Sequence, residues 1–354
     1  MNDSLERYRK KRSFDRTPEP DGAPASAEGE GNRFVIQEHH ARRLHWDLRL
    51  ERDGVLVSWA LPRGVPVDPD QDRLAVHTED HPLSYIDFHG EIPAGQYGAG
   101  TMEIWDRGTY VAEKFEPKKV VLTFAGEKVV GRYALFQTRG DDWMIHRMDP
   151  PEPGREPLPE GLEPMAPIAG ELPDDDEEWG FEIKWEGRRA LAYCEAGHLR
   201  LAAGNADVTK RCPEVRGVLE QLHGREALLD GELVVFGEDA RPDPERLERR
   251  LAAESDSAIR RLRNDSPVAF VAFDLLHLDG RPLLDRPYSE RRDELERLGL
   301  EGVAWQTPAY HQGDGAALLA ASRERDLSGI VGKRLASPYV PGADTGDWIA
   351  ISAR

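Results

Sequence analysis

One stretch dictates how this chain is divided. Residues 149–178 read DPPEPGREPLPEGLEPMAPIAGELPDDDEE and hold eight prolines. Each proline fixes its own φ and removes a backbone donor, so neither a helix nor a central strand can run through them. The charge is as one-sided as the backbone. Residues 151–180 carry one arginine against ten Asp and Glu, a net of −9, while residues 1–150 and 181–354 each carry −5 of the −19 total. A segment this acidic and proline-dense builds no core of its own and reads as a linker. Single cores stop growing at about 250–300 residues, and this chain has 354. Two folded domains are therefore expected, over 33–148 and 179–354, joined by 149–178. The overall acidity argues against a protein that coats nucleic acid non-specifically, but leaves room for a local basic groove in either domain.

Several classes drop out. No apolar run reaches the roughly 18 residues of a membrane helix. The N-terminus, MNDSLERYRKKRSFDRTPEP, is charged and lacks an apolar signal region. The two cysteines, Cys194 and Cys212, fit neither a zinc spacing nor a disulfide framework. A reducing cytoplasm is the expected setting, with no membrane partner. Residues 1–32 read as a basic-aromatic arm, YRKKRSF, followed by a flexible Pro/Gly/Ala-rich segment over 17–32.

From Arg33 to Met148 the text is β structure. The runs RFVIQ, LHWDLRL, VLVSWAL, RLAVHT, TMEIWD, VVLTF, GRYALFQT and WMIHRM are separated by Gly, Pro and Asp turns. Their number and spacing predict a barrel or sandwich. Within LHWDLRL the alternation is strict. Leu44, Trp46, Leu48 and Leu50 share one face, and His45, Asp47 and Arg49 share the other, about 7 Å apart along the strand. Imidazole and carboxylate suit a transition metal such as Mn²⁺ or Zn²⁺, and a guanidinium beside them suits a phosphate. His39 or His40, just upstream, can complete the ligand set. His77 and His89 read as surface or turn histidines. The GQYGAG run reads as a tight turn, since it lacks the strand-then-helix setting of a nucleotide loop.

QEHHARRLHWDLRL, SWALPRG, RLAVHTEDHPLSYIDFHGEIPAGQYGAG and WDRGTY together resemble the 3′-phosphoesterase domain of bacterial DNA ligase D, over about residues 8–148. The resemblance implies a divalent metal, typically manganese, and removal of a terminal ribonucleoside and then a 3′-phosphate from DNA 3′ ends. It implies that His39, His45 and Asp47 are metal ligands and that Arg49 binds phosphate. It makes His81 a phosphate contact or proton donor, Tyr85 a supporting residue, and Arg73 and Arg63 phosphate contacts. Arg12 and Glu19 match the arm that reaches the site. Ser13 stands where the family usually has Asp, and Arg63 where Lys is more usual.

After Trp179 strands and helices alternate. FEIKWEG, RALAYCE, HLRLAAG, ALLDGELVVF, VAFVAFDLLHL, SGIVGKRL and DWIAISA are expected strands, and PEVRGVLEQLHG, PERLERRLAAE, SERRDELERLG and GAALLAASRERD expected helices. EIKWEGRRA, LLDGELVVF, FDLL and SGIVGKR resemble, in that order, the adenylation domain of ATP-dependent DNA ligases, from about Pro164 to Arg354. The resemblance implies that Lys184 attacks the α-phosphate of ATP and carries AMP. Arg189 would contact the ribose or the nick end, Glu232 the ribose and Phe273 the adenine, with Lys333 also at the nucleotide. The departures fall on chemical positions: Glu186 for Asp, Ala202 to Asn205 for Ser-Arg-Asn-Gly, Ser328 for a metal-binding Glu, and Ala350 and Ser352 for two closing lysines. Lost cations at a developing phosphoryl charge can cost about 10²–10³ in rate per donor.

The expected fold class is multidomain α+β. It pairs a β-barrel-like phosphoesterase domain with a nucleotidyltransferase-type antiparallel sheet and helix domain lacking an OB-fold. The expected function is 3′-end trimming in break repair by end joining, fused to a ligase-like domain inactive or very weak in adenylation. Its partners would be DNA 3′ ends, Ku and a separate polymerase or ligase, at the nucleoid. Two alternatives stand beside it: a working minimal ATP-dependent ligase, and a non-catalytic scaffold on DNA ends.

Overall fold

The computed structural model describes residues 5–22 and 31–353. They fall into two compact units that divide between Pro153 and Gly154. No described helix is long and apolar enough to cross a membrane.

The first unit opens with a short helix, α1 (Glu6–Lys10), then the strands β1 (Arg33–His40), β2 (Leu44–Arg52), β3 (Val55–Leu61), β4 (Arg73–His77), β5 (His81–Pro82), β6 (Gly90–Ile92), β7 (Gly100–Glu116), β8 (Lys119–Gly126), β9 (Val130–Arg139) and β10 (Asp142–Arg147). The order β1-β2-β3-β4-β10-β9-β8-β7, with β7 pairing back onto β1, closes an antiparallel barrel. Closure leaves no free edge among these eight strands. Every barrel strand contributes to one interior core that includes Ile36, Trp46, Leu48, Leu50, Trp59, Leu61, Ala75, Tyr110, Leu122, Tyr133 and Ile145. The expected alternation of β2 thus holds, with Trp46, Leu48 and Leu50 inside.

The opposite face of β1 to β3 is not open to water. A second apolar layer covers it, built from Val35, Leu56, Tyr85, Ile86, Phe88, Ile92 and Met102, with Tyr8 of the arm seated among them. This corrects the expectation of flexibility over 17–32 in part. Thr17 and Glu19 are buried. The Tyr8 hydroxyl donates to the Pro20 carbonyl (2.6 Å), and Arg9 donates to that of Gly22 (3.0 Å). The buried Tyr8 ring anchors the segment through apolar contact. Residues 23–30 of that expectation lie outside the described residues.

The second unit contains β11 (Ile168–Ala169), β12 (Trp179–Ile183), β13 (Arg188–Glu195), β14 (His198–Ala203), β15 (Ala206–Asp207), α2 (Val218–Gln221), β16 (Ala227–Val235), α3 (Pro244–Leu251), α4 (Asp256–Asp265), β17 (Val268–Leu278), β18 (Arg281–Pro282), α5 (Tyr288–Arg297), β19 (Trp305–Gln306), β20 (His311–Gln312), α6 (Gly315–Glu324), β21 (Gly329–Arg334) and β22 (Trp348–Ser352). They form two sheets, β11-β22-β21-β12-β20 and β15-β14-β13-β16-β17-β18, with β19 added to β17. The pairings are antiparallel except β11 with β22 and β19 with β17.

Two expectations change here. The expected linker is folded onto this unit from Gly154 onward. Arg155 pairs with Glu226 (2.8 Å), the Met165 N–H donates to Tyr339 (2.9 Å), and Ile168–Ala169 extend the sheet. Leu158, Leu162 and Met165 pack against Phe273, Tyr339 and Trp348. Proline excludes regular structure but not extended docking, and spaced apolar side chains are enough to hold a strap. The expected helix PEVRGVLEQLHG is a 3₁₀ turn over Pro213–Gly217 followed by the four residues of α2. Gly217 lies against Trp305, which a Cβ there would meet at 2.3 Å. The added α4 is capped by the Ser255 side chain.

Candidate active site

Cross-strand register builds the first constellation. In the pairing of β1 with β2, His39 stands opposite His45 and Gln37 opposite Asp47. The two imidazoles lie 4.6 Å apart between centroids. His39 Nδ1 is 3.6 Å from one Asp47 oxygen, and His45 Nε2 is 3.8 Å from the other. The other nitrogen of each ring is fixed by backbone: His39 Nε2 donates to the Gly98 carbonyl (2.9 Å), and His45 Nδ1 to that of Arg43 (3.0 Å). Donation there leaves His39 Nδ1 and His45 Nε2 as bare lone pairs, the usual way outer contacts set a ligating tautomer. Nδ1 of His39 is buried without a hydrogen-bond partner. Three acceptor atoms of His39, His45 and Asp47 lie within 4.8 Å of one another. Acceptors converging with no proton between them fit a divalent cation, and an N₂O set suits a borderline transition metal.

Arg49 lies one alternation along β2, buried. Its Nε donates to Gln37 (2.6 Å), Nη2 to Asp47 (3.0 Å), and Nη1 lies 3.0 Å from His81 Nδ1. The guanidinium also faces the Tyr85 ring at 4.7 Å. Burial alone would push the Asp47 carboxyl up. The Arg49 guanidinium outweighs it and holds Asp47 well below the usual carboxylate range.

The docked arm completes the group. Arg12 donates to Glu19 (2.8 Å), Glu79 (3.0 Å) and His81 Nε2 (3.2 Å). Glu19 also accepts from the Tyr85 hydroxyl (2.8 Å). The Glu79 carbonyl lies 2.9 Å from His81 Nδ1, so that nitrogen carries the proton and Nε2 is the acceptor for Arg12. Burial, then Arg49 and Arg12, lower the His81 pKa well below its ordinary value. His81 is therefore a neutral imidazole, which narrows the expected proton-donor role.

Of the residues singled out in this half, His39, His45, Asp47, Arg49, His81, Tyr85, Arg12 and Glu19 are joined in one connected group. Arg63 is exposed. Buried Arg73 commits Nη1 to the carbonyls of Arg63 (2.7 Å) and Val65 (2.9 Å), tying down the loop after β3. Sequence reasoning missed Gln37, which aims Arg49, and Glu79, which binds both Arg12 and Lys11 (2.8 Å). Each is a single polar residue whose partners are distant in the chain. Their burial is the only signal, and it is not local.

The second constellation lies where β12 ends. Lys184 is exposed, with its N–H bonded to the Gly329 carbonyl and its own carbonyl accepting from Ser328 (3.3 Å). Glu232 is half-buried and accepts from the Gly187 N–H (2.9 Å); burial raises its pKa. Arg189 makes a bidentate pair with Asp230 (2.6 and 2.5 Å) and lies 4.5 Å from the Phe273 ring centre. Phe273, expected to stack on adenine, is 6% exposed, with Arg189, Lys333 and Trp348 around it. Lys333 is 1% exposed, paired to Glu182 (2.6 Å), and bonded to the Phe273 carbonyl (3.4 Å). A fully buried ammonium needs a buried carboxylate, and Glu182 supplies it. Ala350 and Ser352 pair with Val331 and Gly329.

Comparison with known proteins follows this division. The DNA Ligase D 3′-phosphoesterase domain family matches residues 37–137, and the ATP dependent DNA ligase domain family matches residues 165–351. The chain is 41% identical over 353 residues to the multifunctional non-homologous end joining protein LigD of Mycobacterium bovis, covering 98% of this chain and 45% of that protein. It is 34% identical over 406 residues to the LigD of Pseudomonas aeruginosa, covering 99% and 47%. It thus spans less than half the length of these relatives. A solved mycobacterial DNA ligase D complexed with ATP and MES shares 33% identity, with a TM-score of 0.48, over 55% of this chain and 62% of that one.

Proposed function

The chain belongs to the DNA ligase D family, joining its 3′-phosphoesterase domain to an ATP-dependent DNA ligase domain, and on that premise we propose how its activity is divided. The first unit is a metal-dependent phosphoesterase that removes a 3′-phosphate, and a terminal ribonucleotide, from DNA 3′ ends. The second keeps the ligase fold but adenylates weakly or not at all. The setting is double-strand break repair by end joining at the nucleoid, beside Ku and a separate polymerase or ligase.

The observation that carries this reading is the meeting of His39 Nδ1, His45 Nε2 and Asp47 beside a buried, oriented Arg49. A divalent cation such as Mn²⁺ held there supplies Lewis acidity toward a phosphoryl oxygen. The chain's own residues do the rest. Gln37 and Asp47 fix the Arg49 fork so that it meets phosphate oxygens without reorganising. Arg12 adds a second guanidinium, held by Glu19 and Glu79. Neutral His81 is oriented by the Glu79 carbonyl, and its Nε2 accepts from Arg12 and so helps aim that guanidinium at the phosphate. Ser13, where the family usually has Asp, bears on ribonucleotide removal more than on phosphate release.

For the second unit, support lies in the replaced residues, Ser328, Ala350 and Ser352, and in the internal pairing of Arg189 and Lys333. A second reading, a working ligase, draws on the match of residues 165–351 to the ATP dependent DNA ligase domain family and on Lys184, exposed at a strand end with Glu232 among the charges acting nearby.

Incubating the chain with a 3′-phosphate primer–template tests the first unit. Inorganic phosphate is expected with Mn²⁺ and not without a divalent ion. Release that ignores chelation would overturn the metal assignment.

A further inference from the structure

Between β6 and β7 the chain makes two successive turns, closed by Gln96 N–H to the Pro93 carbonyl (3.1 Å) and Ala99 N–H to the Gln96 carbonyl (3.2 Å). Gly95 and Gly98 adopt φ of +88° and +76°, which only glycine enters without strain. The loop brings two things to one place. The Gly98 carbonyl holds Nε2 of His39 (2.9 Å), as described above. One residue earlier, the Tyr97 side chain stands out, 48% exposed. Every other Phe, Tyr and Trp ring among the described residues is buried or half-buried.

A single exposed apolar side chain needs no explanation by itself. Tyr97 differs in being positioned. The Lys11 ammonium donates to its hydroxyl (3.0 Å) and lies 4.4 Å from the ring centre. The Arg12 guanidinium is 5.5 Å from the same ring and reaches His81 with its Nη2 (3.2 Å). The ring is therefore one residue from the anchor of a metal-ligating histidine, and one guanidinium away from His81.

We propose that Tyr97 is the platform on which the nucleobase of the 3′-terminal nucleotide stacks while its phosphate lies at His39, Asp47 and Arg49. The proposal rests on the phosphoesterase reading and adds a subsite to it. The metal and guanidinium groups recognise a phosphate common to every phosphomonoester, so a nucleic-acid end needs a contact beyond the phosphate. A π-face meets every base equally, which suits an enzyme that accepts ends of any sequence. The Lys11 bond fixes the ring before the end arrives, reducing the ordering cost of binding. Lys11 and Arg12 flank the ring with the positive charge a backbone requires.

The test uses the full chain, Mn²⁺ and two duplexes with a 3′-phosphate, one ending in a normal nucleotide and one in an abasic residue. Tyr97→Ala is expected to raise KM for the normal end about 5–100-fold, with kcat nearly unchanged. Removing the base is expected to cost the wild type a similar factor, and the two losses should not add. Tyr97→Trp and Tyr97→Phe keep a π-face but lose the Lys11 bond, and recover most of the low KM. In parallel, 2-aminopurine at the 3′-terminal position should be quenched on binding by the wild type and not by Tyr97→Ala. Equal KM increases on both ends, or quenching that survives in Tyr97→Ala, would make Tyr97 a structural part of the loop and overturn the platform. Failure of the phosphoesterase reading looks different: the wild type releases no phosphate from either duplex, while the quenching still reports on Tyr97.

Discussion

Arg49 and Lys333 are both buried cations facing a buried carboxylate, at 3.0 Å to Asp47 and 2.6 Å to Glu182. What surrounds the two pairs is not alike. Beside Arg49, the second Asp47 oxygen and two histidine nitrogens converge as acceptors, and one of them, His39 Nδ1, has no partner. Around Lys333, the second Glu182 oxygen accepts from Tyr288 (2.8 Å), the Phe273 carbonyl accepts a hydrogen bond from the ammonium (3.4 Å), and three aromatic rings lie within 5 Å of the ammonium. The partnerless buried atoms of Trp348 and Arg292, beside this pair, are donors: Trp348 Nε1, Arg292 Nε and Arg292 Nη1. Orphan donors do not ask for a metal, whereas converging orphan acceptors do. A buried ion pair alone is therefore a poor mark of function; the sign of what is left unmatched around it is the better one.

This contrast can be broken most sharply at Asp47. Asp47→Ala, or chelation of the divalent ion, is expected to lower phosphate release about 10³-fold, the loss of several kcal/mol of charge stabilisation. Steady-state phosphate assays check this, and a loss of less than tenfold would remove the metal from the account. Arg49→Ala is expected to cost about 10²–10³ in kcat. Arg49→Lys should recover only part of it, because an ammonium lacks the fork that Gln37 and Asp47 orient. On the other side, Lys333→Ala leaves Glu182 buried without its ammonium and should destabilise the second unit by about 3–5 kcal/mol. Chemical denaturation reads that loss, and phosphate release should be unaffected. If Lys333→Ala is neutral for stability, the pair is not the structural device the contrast requires.

The smallest effect concerns His81. Its folded pKa is lowered by burial and by Arg49 and Arg12, so the unfolded chain takes up a proton near the ordinary value of about 6.5 while the folded chain does not. Stability from this group is present above about pH 6.5 and declines as pH falls below it. The His81 ring resonances should show no titration between pH 7.5 and 6, and a midpoint near 6.5 would contradict the neutral assignment.

The sequence made some of this legible and hid the rest for identifiable reasons. The barrel and the row His45, Asp47, Arg49 follow from period-two alternation, because a strand with one face in a core has no freedom over the other. That the row is itself covered could not be read locally. Its cover comes from Tyr8 and Tyr85, residues far from β2 in the chain. Gln37, Glu79 and Tyr97 have no pattern of their own and acquire meaning only from the residues they meet. At PEVRGVLEQLHG the requirement for a glycine at 217 is equally non-local, because Trp305 fills the space beside it. Lys333 was singled out by its place in a resembling motif, and motif position carries no information about burial.

The contrast between the units is tested most directly on one preparation with two readouts. The full chain and Lys184→Ala are incubated with α-labelled ATP and Mg²⁺ or Mn²⁺, while phosphate release from a 3′-phosphate end is followed in the same tubes. The account predicts phosphate release from both proteins and no acid-stable, amine-linked AMP on the wild type above the Lys184→Ala background. AMP label that depends on Lys184 would contradict it, and would mean that residues other than those at Ser328, Ala350 and Ser352 grip the α-phosphate.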